Sequence, residues 1–182
     1  MKKFSILFAA LLTITVIFGS AVPVQAASTD VNIEIKKTAM DHISVTVPTT
    51  LPIVFNEDGT NTLPTNWTIE NKSTIAGIHL AQVDLDAGES GWTLLAEYDD
   101  TKTMPVDTTA IKLSLGKEGA LKLVTPTDGS EATTGTLIFQ EDEIAIASGE
   151  TQVLAFDVQR GAFNDSHGAG KAFEMVMTFE FN

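Results

Sequence analysis

Apolar and polar side chains alternate with a period of two along almost all of the chain after residue 26. Early in this region, Val31, Ile33 and Ile35 alternate with polar neighbours. The clearest run closes the chain, where five apolar residues occupy every second position: Phe173, Met175, Met177, Phe179 and Phe181. This period is that of a β-strand with one buried face, and no stretch keeps the 3.6-residue period of a helix over three turns.

Turn-forming dipeptides separate the alternating runs. Four of them contain glycine: Asp58-Gly59, Ala87-Gly88, Asp128-Gly129 and Ser148-Gly149. Many short strands, spaced by roughly ten residues, are typical of an antiparallel sandwich. We therefore predict an all-β protein, an antiparallel β-sandwich that forms a single domain.

One strand changes phase along its length. Ile78 and Leu80 share one phase, whereas Val83 and Leu85 follow the other. An extra residue in a strand produces such a shift, so the pattern predicts a β-bulge near Ala81-Gln82.

The next apolar run predicts a strand that places four side chains on one face: Trp92, Leu94, Ala96 and Tyr98. Residues 101–109 lack an alternating pattern and are predicted to form a loop or one helical turn.

The first 26 residues have the layout of a secretory signal peptide. Lys2 and Lys3 precede an apolar run over residues 4–18, and the segment ends in Val24-Gln25-Ala26. A charged start, a short apolar centre and a small-x-small ending define such a leader. We expect a secreted protein, extracellular or associated with the cell wall, whose mature domain spans 27–182. Residues 27–37 are a candidate detachable N-terminal strand.

Charge and cysteine content exclude several functions. The net charge is −13, and loss of Lys2 and Lys3 with the leader takes it to −15. Such a surface repels nucleic acid and anionic lipid, so we expect neither as a partner, and no insertion of the mature chain into a membrane. The chain has no cysteine, which excludes disulfides, cysteine-ligated zinc and thiol catalysis. An exported protein that lacks cysteine and carries this type of leader suggests a Gram-positive bacterium as its source.

The histidines do not form a recognisable catalytic or metal-binding pattern. His42 and His79 lie on predicted strands, opposite their apolar neighbours, and are expected to face solvent. Asp165-Ser166-His167 contains the residue types of a hydrolase triad, but triad members converge from separate segments. We expect no enzyme activity; a secreted hydrolase with an unrecognised site remains the third functional alternative.

Two acidic loops are candidates for calcium binding. They are residues 56–61, with Glu57 and Asp58, and the run Glu141-Asp142-Glu143. Calcium takes several oxygen ligands from such loops, but neither loop has the spacing of an EF-hand. We expect no cofactor, and keep calcium as the alternative.

Several segments resemble the WxL-type surface proteins of low-GC Gram-positive bacteria. The similar segments are residues 47–55, the turn 56–59, residues 69–73 and Gly91-Trp92-Thr93-Leu94. The last strand has Phe179-Glu180-Phe181 where that family carries its second Trp-x-Leu motif.

The resemblance implies a β-rich exported protein that binds the cell wall non-covalently and works with other surface proteins. It makes Trp92 and Leu94 the candidate contact residues.

A looser similarity is to camelysin and TasA-like biofilm matrix proteins. It rests on the strand over residues 71–85 and on the end of the chain, residues 178–182. This similarity implies self-association into an extracellular fibre, and the amphipathic segment 31–35 suits strand donation to an open sheet edge. The function expected first is a structural or wall-binding role at the cell surface, and a fibre subunit is the alternative.

Overall fold

The computed structural model describes residues 27–37, 44–56, 60–97, 99–129, 131–162 and 170–182. The predicted leader and two histidines, His42 and His167, lie outside these residues, as does the Asp165-Ser166-His167 run. The prediction of an all-β fold is confirmed: the described chain is built from strands and one 3₁₀ turn, Thr101–Thr103, within the predicted loop or helical turn. No helix in this part of the chain has the length and apolar character that a membrane span requires.

Fourteen strands follow one another in the described residues. In chain order they are β1 (Ala27–Lys37), β2 (Val45–Thr46), β3 (Thr50–Phe55), β4 (Asn61–Thr62), β5 (Trp67–Asn71), β6 (Ile78–Asp86), β7 (Thr93–Leu94), β8 (Ala110–Lys117), β9 (Ala120–Leu123), β10 (Thr125–Pro126), β11 (Thr134–Ile138), β12 (Ala145–Ile146), β13 (Thr151–Arg160) and β14 (Gly170–Phe181).

The strands form two sheets. The larger has the order β10-β11-β6-β14-β1-β3-β4, with β12 also paired to β6. The smaller has the order β2-β5-β13-β8-β7, with β9 also paired to β8. Most pairs are antiparallel, as predicted, but β1 runs parallel to β14 and β7 runs parallel to β8.

The core lies between the two sheets and takes side chains from both. The alternation of β14 is confirmed, because Phe173, Met175, Met177 and Phe179 are all buried. Leu113 and Leu115 of β8 contribute from the smaller sheet. Full burial of one such side chain stabilises the fold by about 1.5–3 kcal/mol, so a chain without disulfides draws its stability from this core.

The predicted bulge is present in β6. The pairing with β14 passes from Thr178↔Gln82 to Phe179↔Leu80, so Ala81 is the extra residue. The bulge changes which side chains of β6 point inwards.

The expectation that His79 faces solvent is wrong: His79 is only 6% exposed. Three consecutive residues, 78–80, are buried ahead of the bulge. The chain terminus covers the imidazole, because Asn182 lies against it.

The strand predicted to begin at Trp92 is much shorter than expected over residues 92–97, and Tyr98 lies outside the described residues. Only Thr93 and Leu94 pair with β8, and the chain then turns. The carboxylate of Asp99 accepts a hydrogen bond from the Ala96 backbone N–H at 2.7 Å, which closes this turn. A side chain–backbone hydrogen bond of this type competes with strand pairing.

Candidate functional site

Trp92, the first candidate contact residue, lies within the aromatic part of the core. It is 9% exposed. Its ring centroid lies 5.7 Å from that of Phe55 on β3 and 6.4 Å from that of Phe173 on β14. Tilted aromatic pairs at these separations stabilise a core beyond the area they bury.

Leu94, the second candidate contact residue, lies where the smaller sheet meets the larger one. It is 1% exposed, and its backbone N–H donates to the Ala132 carbonyl at 2.8 Å. This bridge connects β7 of the smaller sheet to the segment that enters β11 of the larger sheet. The contact role of Trp92 and Leu94 stays a prediction, and in the single chain little of either side chain is open to a partner.

A groove of about 290 Å³ lies at the surface and is lined in part by the turn that precedes Trp92. Its lining comes from the turn after β6 and the start of β14: Asp86, Ala87, Gly88, Glu89, Ser90, Lys171 and Glu174. The Ser90 hydroxyl accepts from the Trp92 backbone N–H at 3.2 Å and donates to the Ala172 carbonyl at 2.7 Å. Lys171 pairs with Glu174.

His79 takes part in a contact between β6 and the end of β14. Its Nδ1 lies 2.9 Å from Asn182 Oδ1, and its Nε2 lies 3.9 Å from a carboxylate oxygen of Glu180. Among the residues that the structure describes, no three acidic or histidine side chains come together as a metal site.

One carboxylate of the second acidic loop, Glu143, makes contacts that hold the loop in place. Glu143 pairs with Lys122 of β9 and accepts a hydrogen bond from the Gln140 backbone N–H at 2.6 Å. The hydrogen bond from Lys122 and then that from Gln140 hold the pKa of Glu143 below its ordinary value. Residues 57–59 of the first acidic loop, which include Glu57 and Asp58, lie outside the described residues.

Strand β1 coincides with the segment singled out as a candidate detachable strand. It lies in the interior of the larger sheet, between β14 and β3. Residues 29–37 pair with β14, and residues 27–32 pair with β3. Val31 is completely buried in the core. We call the space between β14 and β3 the β1 slot.

Contacts from the smaller sheet hold both ends of β3, the outer wall of the β1 slot. At one end, the indole Nε1 of Trp67 donates to the Thr50 carbonyl at 3.1 Å. At the other end, Arg160 of β13 donates to the Asn56 carbonyl and to Asn61 Oδ1, both at 3.0 Å. Sequence reasoning missed Arg160 and named Asn61 only as part of the first acidic loop, because the two residues lie 99 positions apart.

Comparison with protein-family models, curated proteins and solved structures finds no match for this chain.

Proposed function

We propose that the protein is an exported structural protein of the bacterial surface that associates with further copies by exchanging strand β1. The observation that carries this proposal is the place of β1 in the interior of the larger sheet. The strand begins at Ala27, directly after the predicted leader.

Neither sheet partner of β1 is the next strand along the chain. Its parallel partner, β14, is the last strand, and residues 38–43 separate β1 from the part of the smaller sheet that follows. The β1 strand of another copy would therefore make the same hydrogen bonds in the same register. Exchange of an identical element conserves the contacts of the closed chain, which makes it a low-cost route to assembly.

An empty β1 slot would favour capture of a strand. Its two walls present backbone donors and acceptors, and buried side chains such as Ile53 and Met175 line the core beneath. Unpaired backbone groups and exposed apolar surface are both costly, so an added strand satisfies them together.

Cysteine trapping tests this proposal directly, because the chain contains no cysteine. Glu34 and Val176 are register partners across β1 and β14. We would mix full-length E34C with full-length V176C at high concentration, oxidise the mixture gently and look for the disulfide-linked dimer. Exchange predicts efficient trapping, since register partners fall within the range of Cα separations that a disulfide needs.

The matched control replaces V176C with T136C on β11. Val176 lies on β14 and Thr136 on β11, and both of these strands flank β6 in the larger sheet. Of the two, only β14 pairs with β1. Exchange predicts no enrichment of the E34C–T136C dimer. Equal trapping in both mixtures, or none in either, would contradict assembly through β1. Electron microscopy of the concentrated wild-type chain then shows whether the assembly is a fibre.

The groove at the turn that precedes Trp92 favours a second candidate function, non-covalent binding to a cell-wall polymer. The groove offers the Ser90 hydroxyl, the Lys171 ammonium and the carboxylates of Asp86 and Glu174. Clustered donors and acceptors of this kind suit a hydroxyl-rich or amide-rich chain. Its position next to Trp92-Thr93-Leu94 connects it to the predicted contact residues.

A pull-down with purified Gram-positive cell walls tests the second candidate. The double variant K171A/E174A removes two exposed groove side chains that pair with each other, so it should lose binding while it keeps the wild-type melting temperature. The exposed pair T103A/K102A, on the 3₁₀ turn, is the control. Retention of full binding by K171A/E174A would exclude the groove as the wall-binding site.

A further inference from the structure

Arg160, the last residue of β13, contacts the outer wall of the β1 slot. Its Nε donates to Asn61 Oδ1 and its Nη2 donates to the Asn56 carbonyl, each at 3.0 Å. Its guanidinium carbon lies 4.7 Å from the centroid of the Phe55 ring. One side chain of the smaller sheet therefore holds both the end of β3 and the start of β4.

Strand β4 also donates a hydrogen bond back to β13. The side-chain amide of Asn61 donates to the Val158 carbonyl of β13 at 2.6 Å. Asn56 ties the two strands to each other, because its amide donates to Thr60 Oγ1 at 2.9 Å and to Thr62 Oγ1 at 3.2 Å. Strands β3 and β4 are thus linked to β13 as one unit.

Apart from this link, β3 has a limited hold on the rest of the fold. Within the sheet it pairs with β1 on one side and with the two-residue strand β4 on the other. If β1 leaves, β3 keeps its core side chains, the contact from Trp67 and the link through Arg160. The position of the outer wall then depends on contacts from the smaller sheet.

We propose that Arg160 is a latch that controls how readily β1 leaves its slot. While the guanidinium holds Asn56 and Asn61, β3 stays in register against β1, and β1 remains paired on both sides. When the latch opens, β3 and β4 lose their link to β13, and the pairing of β3 with β1 loosens from the Asn56 end, where Ala27 faces Phe55. Arg160 is a positioning residue, and this role rests on the proposed exchange of β1.

The latch requires the geometry of a guanidinium. Arg160 donates through Nε, Nη1 and Nη2 to three different oxygens, the third being the Gly161 carbonyl at 2.9 Å. A lysine ammonium is a point charge and cannot reproduce this planar set of donors. In Arg160→Lys the link between β13 and β3 should therefore open more readily than in the wild type, though less readily than in Arg160→Ala.

The trapping assay between E34C and V176C chains tests this role when each chain also carries R160A or R160K. The measured quantity is the initial rate at which the disulfide-linked dimer forms. We expect R160A to raise the initial rate of dimer formation roughly tenfold or more, because it removes hydrogen bonds to a charged group. R160K should give an intermediate rate. The control is N71A, which disrupts a buried hydrogen-bond network at the opposite end of β13. Temperatures are set so that R160A and N71A lie equally far below their melting points.

Equal rates for R160A and N71A under these matched conditions would overturn the latch, because Arg160 would then act only through global stability. Hydrogen exchange of the monomeric chain separates this proposal from the exchange of β1. R160A should lower the protection of amides in β1 and β3 and leave those of β8 and β13 unchanged. No trapping in any background would reject assembly through β1. Unchanged protection of β1 and β3 in R160A would reject the latch, whatever the trapping result.

Discussion

Leu94 occupies the space that a side chain at position 135 would need. A β-carbon built on Gly135 would lie 2.5 Å from Leu94 Cδ1, well inside van der Waals contact. Leu94 belongs to the smaller sheet and Gly135 to the larger, so the absence of a side chain at position 135 leaves room for Leu94 between the two sheets.

We expect G135A to lower the free energy of unfolding by about 1–3 kcal/mol, as overpacked core substitutions do. L94A should cost about 2–5 kcal/mol, because it leaves a cavity in the core. In the L94A background G135A should cost less than it does in the wild type, since its closest neighbour is gone. Urea unfolding of the four chains in this double-mutant cycle measures the coupling, and strictly additive losses would contradict the proposed contact.

Asn71 should be the most sensitive polar position of the fold. It is 0% exposed, and its amide donates to the carbonyls of Ala76, Ile146 and Ala147. N71A leaves buried carbonyls without a donor, so we expect a loss of about 2–4 kcal/mol in urea unfolding. N66A is the matched control: Asn66 is exposed, and its replacement should change stability by less than about 0.5 kcal/mol. Similar losses in the two variants would contradict the network.

The pair between Glu143 and Lys122 predicts a small dependence of stability on pH. The pKa of Glu143 is lowered in the folded chain, so its contribution is complete above the ordinary value of 4.5 and is lost as the pH falls through the folded value. The side chain of Glu143 is 30% exposed, so E143Q should cost less than about 1 kcal/mol at pH 7. Thermal unfolding from pH 7 to pH 3 should show the difference between E143Q and the wild type disappear in acid. A difference that stays constant over this range would exclude the charged pair as its cause.

Trp67 is expected to hold the other end of β3. W67F keeps an aromatic ring against Phe156, which lies edge-on to the indole at 5.4 Å, but removes the donor to the Thr50 carbonyl. We expect a loss of about 0.5–1.5 kcal/mol, with lower hydrogen-exchange protection concentrated in β3. A stability loss spread evenly over both sheets would argue against a local role.

Part of the candidate site could be read from the sequence. The alternation of Val31 and Ile33 marked β1 as an amphipathic strand, and the Trp92-Thr93-Leu94 run marked the neighbourhood of the groove. No pattern in the sequence indicated that β1 would pair in parallel with β14, because that pairing joins the two ends of the domain. It also could not reveal Arg160, whose partners are brought to it only when the two sheets pack.

The sequence by itself determined the all-β class, the strand pattern of β14 and the bulge at Ala81, because each follows from the period of apolar residues along one segment. Only the tertiary structure decided which strands meet. It buried His79 under the end of the chain, shortened the strand at Trp92 to two paired residues and placed β1 inside the larger sheet. Local pattern fixes which face of a strand is apolar, whereas strand order and latching contacts depend on segments far apart in the chain.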